Sequence, residues 1–280
     1  KGDFKKALHF VKESYEECVV VNNVNDTRCL TTQISYANIV SVFDLKKGIG
    51  LLEQFIIDEP KTNRNFLRQR VNARGSLSVL YADLGNTKKS EKIMLEAVNL
   101  IDPADSRFRD TYVLTMNNYY LQIGKSGQYE NAIKGYLELI KFVDDNFGLK
   151  SNLKLELLNN LGFSYSALND YDNALKYYLL SEELSELYKA RRNLLTNKMN
   201  IADIFFWRGD IKKSNEYYKE AFKYKEYSPK QTQIFLFASL SKTEAFLGNY
   251  ELALFYGNEG LKISKEFHGI NHPSTLQILD

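Results

Sequence analysis

Residues 155–179 read LELLNNLGFSYSALNDYDNALKYYL, and this stretch decides the fold. Leu155, Leu158, Leu161, Tyr165 and Leu168 fall at three- and four-residue spacing, the apolar stripe of a helix. Tyr171, Ala174, Leu175, Tyr178 and Leu179 repeat that spacing on a second helix. Asn169 stands between them, a residue that tolerates the left-handed backbone ending a helix. Ala174 is small because crossing helices leave no room for a long side chain where their axes approach. The stretch reads as two helices folded back on each other.

The same features recur outward in both directions. Small residues come at Ala7, Gly48, Ser90, Ala132, Ala174, Ser214 and Ala253, spaced 41, 42, 42, 42, 40 and 39 apart. Turns precede them at Gly2, Phe43, Gly85, Gly127, Asn169, Gly209 and Gly248. Val11, Leu52, Met94, Tyr136, Tyr178, Tyr218 and Gly257 each lie four residues after the small position. A fixed period in the range of about 20–50 residues marks a stacked-repeat protein. The expectation is an all-α chain forming one array. Its units run over 1–25, 26–67, 68–109, 110–151, 152–191, 192–230 and 231–270, with a further helix starting in 271–280. Pro60, Pro103, Pro229 and Pro273 all fall in segments between the second helix of one unit and the first helix of the next, where none interrupts a helix.

Composition narrows the partners. A net charge of +2 over 280 residues gives no global attraction to nucleic acid or to a membrane surface. No run approaches the ~20 apolar residues of a spanning helix. Cys18 and Cys29 are too few for a disulfide framework and are expected as free thiols in a reducing cytoplasm. The opening Lys1-Gly2-Asp3-Phe4 reads as a turn leading into a second helix, so the array is expected to be cut from something longer. Phe4, Ala7, Leu8 and Val11 at one end, and Phe255, Leu261 and Ile263 at the other, would then be exposed to end-to-end self-association.

Leu161-Gly162, Tyr165, Asp170-Tyr171, Ala174 and Tyr178 resemble the tetratricopeptide repeat, as do Leu77, Tyr81, Leu84-Gly85, Ser90 and Ala97 in the third unit. The resemblance covers essentially the whole chain. It departs from the family pattern in three respects. The early tryptophan is missing, the period is near 40–42, and Glu244 and Gly257 replace aromatics in the seventh unit. Leu158-Asn159-Asn160-Leu161 is similar to kinesin light chains, and His268-Gly269-Ile270-Asn271-His272-Pro273 to bacterial proteins that join repeats to a CHAT-type caspase-like protease. Bacterial peptide-sensing regulators share the long repeat. The resemblance implies a right-handed α-α superhelix that binds protein or extended peptide, as the sensing or docking region of a larger bacterial regulatory protein. Its alternatives are the regulatory N-terminal part of a CHAT-type protease and a receptor for a signalling peptide.

Catalytic machinery is not evident, and no cofactor is expected. His268 and His272 have helical metal-pair spacing, but Gly269 and Pro273 make that segment a loop without a third ligand. Binding residues are easier to find. The position two before Gly162 is Asn118, Asn160 and Asn200 in three successive units, with Asn117 and Asn159 beside two of them. An amide carries both donor and acceptor, so such a file suits a peptide main chain. Asparagine also costs a few tenths of a kcal/mol of helix propensity, which ordinary packing does not require. Trp207 and Phe246 end first helices, with Asp203 and Lys242 a turn earlier and Phe163 in the fifth unit, and these complete the candidate peptide-binding surface. Basic residues at the connections, including Lys61, Arg64, Arg68, Arg107, Arg109, Lys154, Arg191 and Lys225, are expected to form a positive rim.

Overall fold

A computed structural model describes residues 2–20, 26–58 and 66–268. Every regular element among them is helical. The chain divides into two compact units, 1–131 and 132–280. The first holds α1 (Gly2–Val20), α2 (Thr27–Phe43), α3 (Leu45–Asp58), α4 (Leu67–Asp83), α5 (Thr87–Asn99) and α6 (Arg109–Lys125). Helix α7 (Tyr129–Phe147) starts at the boundary. The second unit continues with α8 (Lys154–Ala167), α9 (Tyr171–Leu187), α10 (Arg191–Trp207), α11 (Ile211–Phe222), α12 (Lys230–Phe246) and α13 (Tyr250–His268). The fold class is the all-α, α-α superhelix class of stacked helix pairs.

The turns stand where the repeat places them. Gly85, Gly127, Asn169, Gly209 and Gly248 all have positive φ, between 60° and 90°. At the first of these, Asn86 N–H donates to the Tyr81 carbonyl at 2.8 Å and Gly85 N–H to Ala82 at 2.9 Å, the paired bonds that close a helix on a left-handed residue. The next residue then starts the following helix. Asn86, Asp170 and Asp210 each accept a bond from the backbone N–H three residues on, at 3.1–3.2 Å. The α2–α3 link differs from the expectation of a turn at Phe43. Asp44 alone makes it in extended backbone (φ −146°), its carboxylate capping Lys47 N–H at 3.0 Å. Gly2 is the first residue of α1 rather than a turn.

Helices pair as α2 with α3, α4 with α5, α8 with α9, α10 with α11 and α12 with α13. The small positions of these pairs, Ser90, Ala174 and Ser214, are fully buried, as is Ala132 of α7. A Cβ on Gly48 would stand 2.4 Å from that of Ser41, and one on Gly162 would stand 2.8 Å from the Tyr178 ring. Glu244, which takes an aromatic position, is fully buried and paired with Lys219 at 2.7 Å, so the seventh unit packs around an ion pair. First helices also neighbour one another, α2 with α4, α4 with α6 and α8 with α10, so each unit presents a first-helix face.

Several expectations need correction. Cys18 and Cys29 form a disulfide between α1 and α2, because packing these helices brings the two Cα atoms to 5.5 Å. Part of the expected basic rim is paired: Arg68 with Asp110 at 2.9 Å, Arg107 with Asp105 at 2.7 Å and Lys154 with Asp144 at 2.6 Å. Pro60, Lys61, Arg64, Gly269, His272, Pro273 and the further helix, together with the side chains of Phe4 and His268, lie outside the described residues. Ala7, Leu8, Val11, Leu261 and Ile263 are half-buried, whereas Phe255 is exposed.

Candidate functional site

In the first unit, α2, α4 and α6 enclose a groove of ≈ 570 Å³. Its walls carry neutral hydrogen-bonding groups: Thr31, Ser35, Asn38, Asn72, Ser76, Thr115 and Asn118, interspersed with Ile34, Val71, Val79 and Leu114. Among the described lining residues the one charged group, Arg68, is held by Asp110 and Thr111. Asn38 Nδ2 donates to Ser76 Oγ at 3.0 Å, which fixes part of the wall. Asn72 and Asn118 are exposed, and their amides remain free for a ligand. Gly75 lies in the same wall, in the middle of α4, and a Cβ there would meet nothing within 4 Å. Neither a turn nor close packing within the chain requires that glycine, which costs about 1 kcal/mol relative to alanine. It lowers the floor, as a site for close backbone approach would.

Asn117 does not belong to this surface. It is 4% exposed and faces the helix packing, one residue and therefore about 100° of helix away from Asn118.

The second unit uses its asparagines differently. Asn159 Nδ2 donates to Asn197 Oδ1 at 2.6 Å, and Asn200 Nδ2 reaches Asn159 Oδ1 at 3.4 Å. Asn197 is fully buried and donates to Ser181 Oγ at 3.0 Å and Ser185 Oγ at 3.2 Å. These bonds tie α8, α9 and α10 together, and Asn160 sits half-buried beside them. Asn197 was missed in the sequence; the signal for it was its position three residues before Asn200, on the same helix face.

Four of the expected aromatic and charged residues do converge. Asp203 and Trp207 of α10, with Phe206, meet Tyr218 of α11 and Ser239, Lys242 and Thr243 of α12 around a pocket of ≈ 100 Å³. Phe206 bridges Trp207 and Phe246 edge-on, with ring centres 5.7 and 5.8 Å away. Trp207 and Phe246 are 66% and 64% exposed. Lys242 Nζ lies 4.5 Å from the Phe206 ring centre. Tyr218 donates its hydroxyl proton to Asp203. Asp203 is exposed at the pocket mouth; partial desolvation there pushes its carboxyl above the usual range, opposed by the Tyr218 bond and the Lys242 charge. Burial and the neighbouring Asp203 charge also raise Tyr218, which therefore stays a protonated donor. Phe163, on α8, is 43% exposed and does not line this pocket. Among the described residues, no group of three or more His, Cys, Asp or Glu could hold a metal ion, and no helix is long and apolar enough to cross a membrane.

Comparison with known proteins agrees with this architecture. A tetratricopeptide repeat family model matches residues 155–186, the stretch whose spacing decided the fold. The structure is similar to that of BtubC (BKLC) from P. vanneervenii, at TM-score 0.62 and 16% identity, over 87% of this chain and 94% of that one. A signal-transduction ATPase with numerous domains and a tetratricopeptide-repeat sensor, from Pyrococcus horikoshii, gives TM-score 0.63 at 19% identity, over 96% of this chain and 41% of its own. A Rap protein complexed with competence and sporulation factor gives 0.66 at 11% identity, over 95% and 76%. At these identities the likeness is one of fold. No curated protein matches the chain in sequence.

Proposed function

From a tetratricopeptide-repeat chain whose first helices carry open neutral amides, we propose a non-catalytic scaffold that binds an extended peptide or protein segment, the sensing or docking region of a larger bacterial regulatory protein. We also infer that residues 1–270 act as one array of seven units. The observation that carries this reading is the α2–α4–α6 groove, with free amides at Asn72 and Asn118 and a floor lowered at Gly75. Unpaired amides suit main-chain groups, which every peptide presents irrespective of sequence. A peptide-sensing role draws support from the Rap protein that holds competence and sporulation factor on a similar fold. The Cys18–Cys29 bridge favours an oxidising compartment over the cytoplasm, since disulfides persist in the former.

The test is a titration of the chain with uncharged capped decapeptides. Replacing both Asn72 and Asn118 by Ala should weaken binding by about 1–2 kcal/mol, two neutral hydrogen bonds, with unchanged thermal melting. Equal binding by wild type and variant would remove the groove as the site, and no binding by either would remove the reading.

A further inference from the structure

The small pocket on α10, α11 and α12 has a chemistry unlike that of the groove. At ≈ 100 Å³ it holds the end of one side chain and no more. Its one anionic group among the lining residues, Asp203, is exposed, accepts a hydrogen bond from Tyr218 and forms no ion pair, so the rest of its about four acceptor positions are open to an incoming donor. Phe206 and Trp207 line the pocket with that carboxylate, and Phe246 packs behind Phe206. Two of these rings are more than half exposed, at a place where burial would otherwise be favourable. Lys242 already lays its ammonium on the Phe206 face, which shows that this ring accepts a cation.

We propose that this pocket takes the cationic side chain of a bound peptide, arginine before lysine, with Asp203 as counter-ion, the Phe206 and Trp207 rings as walls, and Lys242 holding the cation's place until the ligand arrives. The proposal rests on the peptide-binding reading and adds the ligand residue that the second unit selects. An apolar side chain entering here would strip water from Asp203 and return no charge to it. A carboxylate would meet Lys242 but would face Asp203 across a pocket one side chain wide. Guanidinium matches both walls, because it stacks on aromatic faces and offers a planar fork to a carboxylate. Displacing Lys242 is easy, since it is exposed and makes no ion pair.

Trp207 is the only tryptophan in the chain, so its emission reports this pocket directly. The experiment titrates the full chain with capped tripeptides Ala-Xaa-Ala, where the central residue is Arg, Lys, Glu or Leu. The expected result is a saturable change in Trp207 emission with the Arg peptide, a weaker one with Lys, and none with Glu or Leu. Asp203→Asn should reduce the Arg affinity about tenfold, and Lys242→Met should raise it about threefold by removing the competing cation. Both variants should keep the wild-type circular-dichroism melt. The proposal is overturned by Leu or Glu peptides saturating as well as Arg, by no saturable response to any peptide, or by a folded Asp203→Asn chain that retains the Arg response. Decapeptide binding in the α2–α4–α6 groove is a separate readout, so this proposal can fail while the scaffold reading stands.

Discussion

Two first-helix faces, built from the same residue types, treat their polar side chains in opposite ways. On α2, α4 and α6 the amides of Asn72 and Asn118 are left open to a groove, and the helix wall is thinned to a glycine. On α8 and α10, Asn159, Asn197 and Asn200 are bonded to one another and onward to Ser181 and Ser185 of α9. A polar group between helices either waits for a ligand or replaces one with a neighbouring helix. Burial decides which: Asn197 is fully buried and must be satisfied internally, whereas Asn118 is in contact with water. The second unit therefore has these amides committed to packing, and its exposed face carries the aromatic rings Trp207 and Phe246 instead.

The strongest way to break this comparison is at the buried carboxylate of the second unit. Burial pushes Glu244 up, but hydrogen bonds from Lys219, Asn249 and Asn215 together hold it below its ordinary value. Stability from this lowered group is present above the ordinary carboxylate value and is lost as pH falls through the lowered one. Lys219→Ala should cost about 3 kcal/mol by leaving the carboxylate buried without its counter-ion, with the amide of Asn249 still bonded to it. It should also reverse the pH response, so that mild acid stabilises the variant. Denaturant melts of both chains from pH 4 to 7 would show this, and an unchanged slope against pH would mean that Glu244 is solvated.

A smaller effect tests the asparagine network itself. Asn197→Ala strands the Asn159 amide and removes two bonds to serines, for an expected loss of about 2 kcal/mol in a denaturant melt. Asn118→Ala in the first unit should leave the melt unchanged. Equal losses at both positions would erase the distinction between the two faces.

The smallest expected effect has the opposite sign. Gly75→Ala should stabilise the chain by up to about 1 kcal/mol, because the added methyl meets open space on a helix. The same methyl should weaken decapeptide binding by raising the groove floor. A variant that gains stability and binds as well as wild type would show that the glycine has no part in recognition.

What the sequence disclosed depended on how many residues carried the signal. The turns were legible because each needs a left-handed backbone that few residues adopt, and Gly85, Gly127, Asn169, Gly209 and Gly248 marked five of them. Lys189, with φ 52°, ends the α9–α10 link without any such mark and went unseen. Helical periodicity places a residue to within a face but not to within a side chain, which is why Asn117 was grouped with Asn118 although it points into the packing. The convergence of Asp203, Trp207 and Lys242 was readable, since all three stand near the ends of first helices. The Cys18–Cys29 bridge was not, because an 11-residue separation says nothing about whether two helices fold back to 5.5 Å.

The Gly-Asx pair that both stops one helix and starts the next has a consequence for how such a chain can change. Stop and start are encoded in adjacent residues, through backbone bonds and one short side chain, so the joint is indifferent to what the flanking helices display. Each segment between two joints, the second helix of one pair and the first helix of the next, is then an interchangeable part. Its exposed face can be rewritten by substitution, or the whole segment exchanged for another cut at the same dipeptide, while the hairpin closes as before. A lineage built this way can acquire new ligands by shuffling parts, without having to rediscover how to fold.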